Sequence, residues 1–234
     1  SSALLSVVTS GSNSGSMPSL NSQYGNLAAM AGISLPNSTS ENRGDVAIAT
    51  LKSRDFFKYL YETKDILPSL YAVDYYDKNT KKIVFKSRLF DINANKWIEN
   101  PPTYIKAYKV YANNLNVVRD KLTGFVSVSY IHPSPVFAKE FLDLIIKELN
   151  IITRDADLKI ARDSLDYLND QLLIYNQADI KKSINALIEG QLQKQMIASI
   201  RSDYILSEID SPYSPISRSS PNRKLITLLG FLLG

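Results

Sequence analysis

The order of apolar and polar residues changes near residue 134, and the change separates two kinds of predicted structure. Before it, apolar and polar residues alternate over short stretches, which is typical of half-buried β-strands. The predicted strands are Ala3–Thr9, Leu70–Asp77, Lys82–Phe85, Asn116–Asp120, Gly124–Ile131 and, near the end of the chain, Tyr204–Ile209. Helical spacing of apolar residues predicts helices over Asp45–Tyr61 and Pro101–Ala112. The mixture predicts an α+β fold with a small sheet.

Long helices replace the strands after this point. Ser134 and Pro135 form a helix start signal, because Ser caps the first turn and Pro fits the first helical position. From there to about Asn176 the chain contains no Gly and no further Pro, which favours one continuous helix. A second helix is predicted from Asp179 to about Asp203.

The first long helix carries an apolar repeat of seven residues. Such a repeat forms an a/d seam, the stripe along which helices of a coiled coil pack. The seam consists of Leu158, Ala161, Leu165, Leu168, Leu172 and Tyr175. The second helix has the matching positions Ile180, Ile184, Leu187 and Gln191. The two helices are therefore predicted to form a hairpin.

The predicted length of the first helix decides how the two regions relate. About 43 residues give a rod of about 65 Å, whereas a compact chain of 234 residues is about 45 Å across. The helix should therefore project, and apolar positions that the second helix leaves uncovered need neighbouring subunits. We expect a base formed by residues 1–133 and 203–222, and an extended helical arm over residues 134–202 that packs in an elongated homo-oligomer.

The last residues form an uncharged apolar run, Leu225–Gly234. It is about half of the roughly 20 residues needed to cross a bilayer. We interpret residues 223–234 as the start of a transmembrane helix, and the prolines before it as a stiff connector. The alternative is a buried C-terminal core helix, which two glycines would weaken. The predicted membrane entry consists of Pro212, Pro215, Pro221, Leu225, Gly230 and Gly234.

Charge and cysteine content exclude several classes of site. The net charge is +4, and Lys and Arg are scattered among Asp and Glu, unlike the clustered basic face that binds nucleic acid. The chain contains no cysteine, which excludes disulfides, zinc–cysteine clusters and thiol nucleophiles. We therefore predict no nucleic-acid partner and no cofactor.

Two candidate catalytic features have simpler structural interpretations. His132 is the one histidine, and the sequence has no Gly-x-Ser-x-Gly elbow that would supply a nucleophile for it. Asp163, Asp166 and Asp170 share a helical face, as a glycosidase pair could. Lys159 and Arg162 lie within helical reach of them, however, which favours a solvated, charge-balanced face. The sequence predicts no active site, and hence a protein that is not an enzyme.

Ordered motifs along nearly the whole chain resemble one protein family. They are the Ala3-Leu4-Leu5 strand, the loop segment with Leu27, Ala28, Gly32 and Ile33, the helix Leu51–Phe56, Trp97 with Pro102 and Ala107-Tyr108, Thr123–Ser129 with His132–Pro135 and Ala138, Ser164–Leu168, and the proline-rich stretch from Ile209 to Leu225. No single motif is specific, but the ordered set is. The chain resembles the periplasmic region of Wzz-type polysaccharide co-polymerases, the O-antigen or polysaccharide chain-length determinants.

The resemblance implies a protein of the bacterial inner membrane with two spanning helices, the second beginning at residues 223–234, and a periplasmic location for this region. It also implies a membrane-proximal α+β base, a long helical hairpin and a ring-shaped homo-oligomer. Such proteins are not enzymes. With a membrane-embedded polymerase and a lipid-linked glycan, they regulate the chain length of a surface polysaccharide, the O-antigen of lipopolysaccharide. One departure is that Arg223 and Lys224 border the membrane on the implied periplasmic side, against the positive-inside tendency.

Two alternatives stay open at the level of sequence. One is a capsule or exopolysaccharide co-polymerase that works with a cytoplasmic tyrosine kinase and export machinery. The other, from a different class, is a periplasmic glycan hydrolase. A P-loop and a Tyr-rich tail following Gly234 would indicate the first, and cleavage of glycan would indicate the second.

Overall fold

The protein combines helices with small antiparallel sheets, which confirms the predicted α+β class. The computed structural model describes residues 1–8, 40–200 and 202–214. Along these residues the elements are β1 (Ser2–Val7), α1 (Ser40–Lys52), α2 (Arg54–Thr63), α3 (Leu67–Tyr71), β2 (Val73–Asp77), β3 (Lys82–Phe85), β4 (Phe90–Asp91), β5 (Lys96–Trp97), α4 (Tyr104–Asn114), β6 (Leu115–Arg119), β7 (Val126–Tyr130), α5 (Pro135–Ile174), α6 (Ala178–Ile200) and β8 (Leu206–Asp210).

The central sheet brings the two ends of the described chain together. Its strand order is β6-β7-β1-β8, and every neighbouring pair is antiparallel. Beside β1, the Ser1 amino group donates to the Tyr130 carbonyl at 3.1 Å, and the Ser1 hydroxyl donates to the Tyr213 carbonyl at 2.8 Å. The residue before β1 and the residues after β8 therefore meet at one end of this sheet.

Alternation along the strands directs one face of the sheet into the core. Along the predicted strand at Gly124–Ile131, Val126, Val128 and Tyr130 are buried, whereas Ser127 is exposed. Helices α1 and α4 and the beginning of α5 pack against this face, and α2 packs against α1 and α4. The strands β2 and β3 pair as an antiparallel hairpin that forms a separate sheet, and β4 and β5 form a second one.

The helix predicted over Asp45–Tyr61 is in fact two helices, α1 and α2. Ser53 separates them because its backbone is extended and its side chain accepts a hydrogen bond from the N–H of Phe56 at 3.1 Å. A serine in this position caps the following helix. The prediction of one helix missed the cap because the apolar spacing continues across it.

The strand predicted over Leu70–Asp77 begins only at Val73. The short helix α3 takes up the preceding residues, and Pro68 lies in its first turn, where a missing N–H costs nothing. Leu70 lies in this helix and Ala72 directly follows it, and both side chains are buried. The two-residue strands β4 and β5 were not predicted, because they are too short to show an alternation.

The long helix α5 begins where the sequence predicts. The Ser134 side chain accepts a hydrogen bond from the N–H of Phe137 at 3.2 Å, and Pro135 occupies the first helical position. The helix continues for 40 residues, about 60 Å. After a connection of three residues, α6 begins and packs back against α5.

Some predicted features lie outside the described residues. These are the loop residues Leu27, Ala28, Gly32 and Ile33 and, from the membrane entry, Pro215, Pro221, Leu225, Gly230 and Gly234. Pro212 is described, and it is buried. None of the helices in the described ranges has the length and apolar character required to span a membrane.

Candidate functional site

The helix α5 has two halves with different surroundings. Eight of its nine buried residues lie between Ala138 and Asn150, where the helix packs into the core. Beyond this point α5 buries only Ala161. We call residues 135–150 the proximal half and residues 151–174 the distal half. The predicted arm spans residues 134–202, and its first segment, the proximal half, thus lies in the core.

The predicted seam is the inner stripe of the distal half. Ala161 is buried, and α6 buries Ile184 and Ala198 where the two helices pack together. The half-buried residues of the seam are Leu158, Leu165, Leu168 and Leu172. Tyr175 lies just after the helix as its cap and is 43% exposed, so the packed stripe ends before it. Leu187 of α6 is exposed as well, because the buried stripe passes beside it.

The distal half carries another apolar stripe on its outer surface. Ile160, Tyr167 and Ile174 repeat every seven residues and are 61, 63 and 65% exposed. At 3.6 residues per turn, this line lies roughly 130° around the helix from the seam, on a side that α6 does not cover. Scattered apolar side chains are normal on a surface, but a heptad line offers a second helix a packing surface. We call these three residues the α5 outer stripe.

Helix α6 carries a comparable stripe. Leu192, Met196 and Ile200 follow one another at four-residue spacing, and each is at least half exposed. Around the axis of α6 they lie roughly 130° from its buried stripe. The rotation is in the opposite direction to the one that leads from the seam of α5 to the α5 outer stripe. In an antiparallel pair, opposite senses place the two stripes on opposite sides. We call these three residues the α6 outer stripe.

The two helices of the pair also differ in charge. The distal half has more acidic than basic side chains, and α6 has more basic than acidic ones. The charged residues of the distal half are Arg154, Asp155, Asp157, Lys159, Arg162, Asp163, Asp166 and Asp170, and those of α6 are Asp179, Lys181, Lys182, Glu189 and Lys194. The distal half therefore carries a net negative charge and α6 a net positive charge.

Asn150 ends the proximal half and joins α5 to the returning chain. Its side-chain oxygen accepts hydrogen bonds from the backbone N–H groups of Tyr204, Ile205 and Leu206 at 3.1, 2.8 and 3.0 Å. Its amide nitrogen donates to the Leu206 carbonyl at 2.9 Å. The side chain is buried, so these bonds replace water entirely. Asn150 therefore fixes the chain where it leaves α6 and enters β8.

Tyr204 adds a second connection at the same place. Its hydroxyl donates to Asp157 at 2.7 Å, and the guanidinium of Arg43 in α1 lies 5.0 Å from its ring centre. Burial and the hydrogen bond to Asp157 raise the pKa of Tyr204 to about 12, so the hydroxyl stays protonated and keeps donating. We call Asn150, Tyr204, Asp157 and Arg43 the joint, because they connect the helix pair to the base.

A cleft of about 350 Å³ lies beside the joint, between α5 and the start of β8. Its volume falls within the range of small-ligand clefts. The apolar lining consists of Ile146, Ile151 and Leu206, and the charged lining consists of Asp143, Lys147, Arg154, Asp203 and Glu208. We call these eight residues the joint cleft.

The proximal half also contains a buried charge. The Glu148 carboxylate is 2.6 Å from the Lys64 ammonium and accepts a hydrogen bond from the Tyr59 hydroxyl at 2.7 Å. Burial alone would raise the pKa of Glu148, but the hydrogen bonds from Lys64 and Tyr59 outweigh it and leave the pKa below its ordinary value. Both carboxylate oxygens are occupied, so this glutamate connects α2 to α5 and is not poised to donate a proton.

His132 has a structural role in the entry to α5. Its Nδ1 accepts a hydrogen bond from the N–H of Ser134 at 3.1 Å, and its Nε2 lies 2.9 Å from the Ser69 carbonyl, to which it donates. Its ring also packs against Phe137, with 4.4 Å between centres. Burial lowers the pKa of His132, which favours the neutral imidazole that makes both bonds. Both ring nitrogens contact backbone atoms rather than a nucleophile or an acid.

The three aspartates that resemble a glycosidase pair lie on open surface. Asp163, Asp166 and Asp170 are all exposed along the distal half. Over residues 1–8, 40–200 and 202–214, no group of three or more His, Cys, Asp or Glu side chains could hold a metal ion.

Sequence reasoning did not single out the joint or the buried carboxylate. A signal exists in hindsight: Glu148 and Asn150 are polar residues at core-facing positions, directly after the apolar stretch that starts at Phe141. Polar residues on a buried helical face require partners. The identity of those partners, which lie more than 50 residues away, cannot be read from local spacing.

No protein-family model matches this chain, and no curated protein matches its sequence at a significant level.

Proposed function

We propose that this protein is a non-enzymatic, oligomeric scaffold of the bacterial inner membrane. It regulates the chain length of a surface polysaccharide, the O-antigen of lipopolysaccharide, together with a membrane-embedded polymerase and the lipid-linked glycan. In this proposal the described residues lie in the periplasm. The distal half and α6 project from the base as an arm, and copies of the chain assemble into a ring.

The observation that carries the proposal is the pair of outer stripes on opposite sides of the helix pair. The α5 outer stripe and the α6 outer stripe are both apolar and exposed, and neither has a partner surface within the described part of its own chain. When the α5 outer stripe of one copy packs on the α6 outer stripe of the next, the contact is head-to-tail. Contacts of this kind close into rings when the rotation between copies allows it.

The drop in burial along α5 supports the projecting arm. Eight buried residues in the proximal half and one in the distal half are what a helix leaving a core would show. A helix of about 60 Å is also longer than the roughly 45 Å expected for a compact chain of this size.

The contacts of Ser1, Tyr213 and Ser214 support a membrane-proximal base. Ser1 hydrogen-bonds to Tyr213, and the Ser214 hydroxyl donates to the carbonyl of Pro135 at 3.3 Å. Spanning helices attached at both ends would therefore enter the base at one place, and α5 would begin there and run away from the membrane. This geometry suits a protein that extends from the membrane surface toward a growing glycan.

The test is deletion of the gene in the source bacterium, followed by gel electrophoresis of its lipopolysaccharide. We expect loss of the modal cluster of long O-antigen bands, and its return when the gene is supplied on a plasmid. Unchanged banding would refute the proposal. Loss of a capsular polysaccharide with intact banding would instead assign the protein to the capsule or exopolysaccharide class, and cleavage of purified polysaccharide by the protein would assign it to the hydrolases.

A further inference from the structure

We infer that the two small sheets form a surface that binds an anionic lipid bilayer. This surface belongs to residues 73–98, which contain β2, β3, β4 and β5 and which we call the small-sheet unit. The inference goes beyond the proposed function, because it concerns a lipid surface and requires neither a glycan nor a ring.

The small-sheet unit has a packing cluster of its own. Phe85 packs on Phe90 with 5.4 Å between ring centres, and Phe90 packs on Trp97 at 5.3 Å. Within the described residues, none of the side chains of the unit belongs to the main core. The surfaces of the unit that face away from its aromatic cluster are therefore open to a partner.

The cations of the small-sheet unit have no partner in the described part of the chain. The unit contains six basic and three acidic residues, and the basic ones are Lys78, Lys81, Lys82, Lys86, Arg88 and Lys96. None of the six forms an ion pair or a side-chain hydrogen bond with a described residue. Asp77 instead accepts from the Asn79 N–H at 2.9 Å and the Thr80 hydroxyl at 2.7 Å, and Asp91 accepts from the Asn93 N–H at 2.9 Å. An external anion can therefore approach these cations.

The turn between β2 and β3 presents three of the lysines. Lys78, Lys81 and Lys82 are all exposed at this end of the hairpin, and we call them the tip lysines. The φ of Lys81 is 54°, in the left-handed region where Gly or Asn is relaxed and Lys is not. A lysine in a position whose backbone disfavours it suggests that its charge is used.

An exposed aromatic side chain accompanies the tip lysines. Tyr75 lies directly opposite Val84, and Lys82 is two residues from Val84, so the three side chains share one face of the hairpin. Phe85 points to the other face, where it packs on the aromatic cluster. Tyr75 is 54% exposed. The open face of the hairpin therefore combines a positive charge with an aromatic ring, as interfacial membrane-binding segments do.

The second small sheet adds aliphatic side chains, which favour a bilayer over other anionic partners. Ile92 directly follows β4 and Ile98 directly follows β5, and each is 59% exposed. Aliphatic side chains cannot stack on bases, and a surplus of three positive charges is small beside the six to ten phosphate contacts, roughly, of a DNA-binding protein. A bilayer suits both groups, because its phosphates attract lysines and its acyl boundary accepts isoleucines.

The root of the small-sheet unit lies beside the place where the two ends of the described chain meet. His132 Nε2 donates to the Ser69 carbonyl at 2.9 Å, which joins α3 to the entry of α5. The strand β2 follows α3 after one residue. Ser214 contacts Pro135 in the same entry. In the proposed function, spanning helices would enter the bilayer here, so the unit would have a lipid surface within reach.

The experiment measures co-sedimentation of the purified 234-residue chain with vesicles of two compositions. One contains phosphatidylglycerol and phosphatidylcholine in equal parts, and the other contains phosphatidylcholine alone. The neutral vesicle measures any binding through the uncharged run Leu225–Gly234. We expect wild type to bind the anionic vesicle at least about tenfold more tightly than the neutral one, because each lysine near an anionic surface adds to the affinity.

The charge variant is Lys78→Gln/Lys81→Asn/Lys82→Gln. Its matched control removes three exposed lysines from the helix pair, Lys159→Gln/Lys182→Gln/Lys194→Gln. We expect the affinity for the anionic vesicle to fall about tenfold or more in the charge variant and to stay at the wild-type level in the control.

Two further variants separate binding from folding. Lys81→Asn relieves the backbone at the turn, so it should keep or raise the melting temperature while it weakens binding to the anionic vesicle about fivefold. Ile92→Ser/Ile98→Ser keeps every charge and should weaken the same binding several-fold. Its matched control is Leu122→Ser/Leu173→Ser, which removes two exposed leucines elsewhere and should bind like wild type.

Three results would overturn the inference. One is equal binding of wild type to the two kinds of vesicle. A second is an equal loss of affinity in the charge variant and its control, which would reduce the effect to net charge. A third is a charge variant that loses affinity for soluble poly-glutamate but keeps its affinity for anionic vesicles, which would make the unit a docking surface for an acidic protein. The banding of lipopolysaccharide tests the proposed function separately, so either proposal can fail without the other.

Discussion

The two halves of α5 belong to one uninterrupted helix, yet they bury their side chains against different partners. In the proximal half, Phe141, Leu142, Ile145 and Leu149 are almost completely buried by the sheet and the neighbouring helices. In the distal half, Ala161 is the one buried residue, and Ile160, Tyr167 and Ile174 are more than half exposed. Similar apolar content thus produces a core in one half and an exposed surface in the other.

The comparison separates residues that hold the fold from residues that are available for assembly. Complete burial of a large apolar side chain contributes about 1.5–3 kcal/mol, so the proximal half anchors the helix. A helix pair without such an anchor is only marginally stable in water. Because the proximal half and the joint hold the helix pair in place, the distal half keeps apolar residues exposed without loss of the fold, and in the proposed oligomer these residues would face another copy.

The largest expected difference between the halves is in the free energy of unfolding. Phe141→Ala should lower it by about 3–5 kcal/mol, because a cavity opens where the ring packs against Tyr130, 4.7 Å away between centres. Tyr167→Ala on the α5 outer stripe should change it by less than about 0.5 kcal/mol. Urea denaturation at concentrations where the protein is monomeric measures both. Equal losses would contradict the division of α5 into an anchoring and an exposed half.

The buried ion pair of the proximal half should show the next largest effect. Lys64→Ala should lower the free energy of unfolding by about 2–3 kcal/mol near neutral pH, because it leaves the Glu148 carboxylate buried without its cation. The matched control is Lys58→Ala, which removes the cation of the exposed Lys58–Glu62 pair and should change it by less than about 0.5 kcal/mol.

The same pair predicts how stability depends on pH. The pKa of Glu148 is lower in the folded protein than in the unfolded chain, so the unfolded state binds the proton more readily. Its contribution is complete above the ordinary carboxyl pKa and disappears as the pH falls through the lower folded value. Glu148→Gln should therefore be less stable than wild type at neutral pH and lose less stability in acid. Parallel curves for the two proteins would show that Glu148 is not the group responsible.

Two buried tyrosines in the core should respond differently to loss of a hydroxyl. The Tyr111 hydroxyl donates to the Leu51 carbonyl at 2.6 Å, whereas the buried Tyr130 hydroxyl has no hydrogen-bond partner among the described residues. Tyr111→Phe should cost about 1–2 kcal/mol, and Tyr130→Phe should be neutral or slightly stabilising. Thermal denaturation of the two variants compares them directly. A larger cost at Tyr130 would indicate that a bound water satisfies its hydroxyl.

Local pattern was sufficient to predict most elements of this fold. The cap at Ser134 and the alternation of Val126, Val128 and Tyr130 are local signals, and the structure confirms both. The helix break at Ser53 was missed, since a single cap does not interrupt the apolar spacing. The strand start at Val73 was missed because the alternation extends back through residues that form α3.

The candidate site was less predictable, because its contacts join distant parts of the chain. The joint brings Asn150 to Tyr204 and Arg43 to Tyr204, across 54 and 161 residues. Periodicity identified the seam, but it did not reveal the second line through Ile160, Tyr167 and Ile174. That line becomes meaningful only when exposure shows which stripe α6 covers.

The smallest expected effect on the fold, and the most decisive one for assembly, comes from the outer stripes. Ile160 and Leu192 are each 14 residues from the connection between the helices, about 21 Å along the pair, so they lie at the same height on opposite sides. The chain has no cysteine, so Ile160→Cys and Leu192→Cys each introduce a single thiol. Neither should change the free energy of unfolding by more than about 0.5 kcal/mol.

In a head-to-tail ring, a membrane sample co-expressing the two single variants should form disulfide-linked dimers under mild oxidation. The double variant should form a ladder of higher oligomers on a non-reducing gel, and each single variant alone should stay monomeric. A two-fold symmetric contact predicts the reverse, because each stripe would then meet its own copy and a single variant would dimerise by itself. That result would mean that the stripes pair like with like, and the ring would have to be abandoned in favour of a closed dimer.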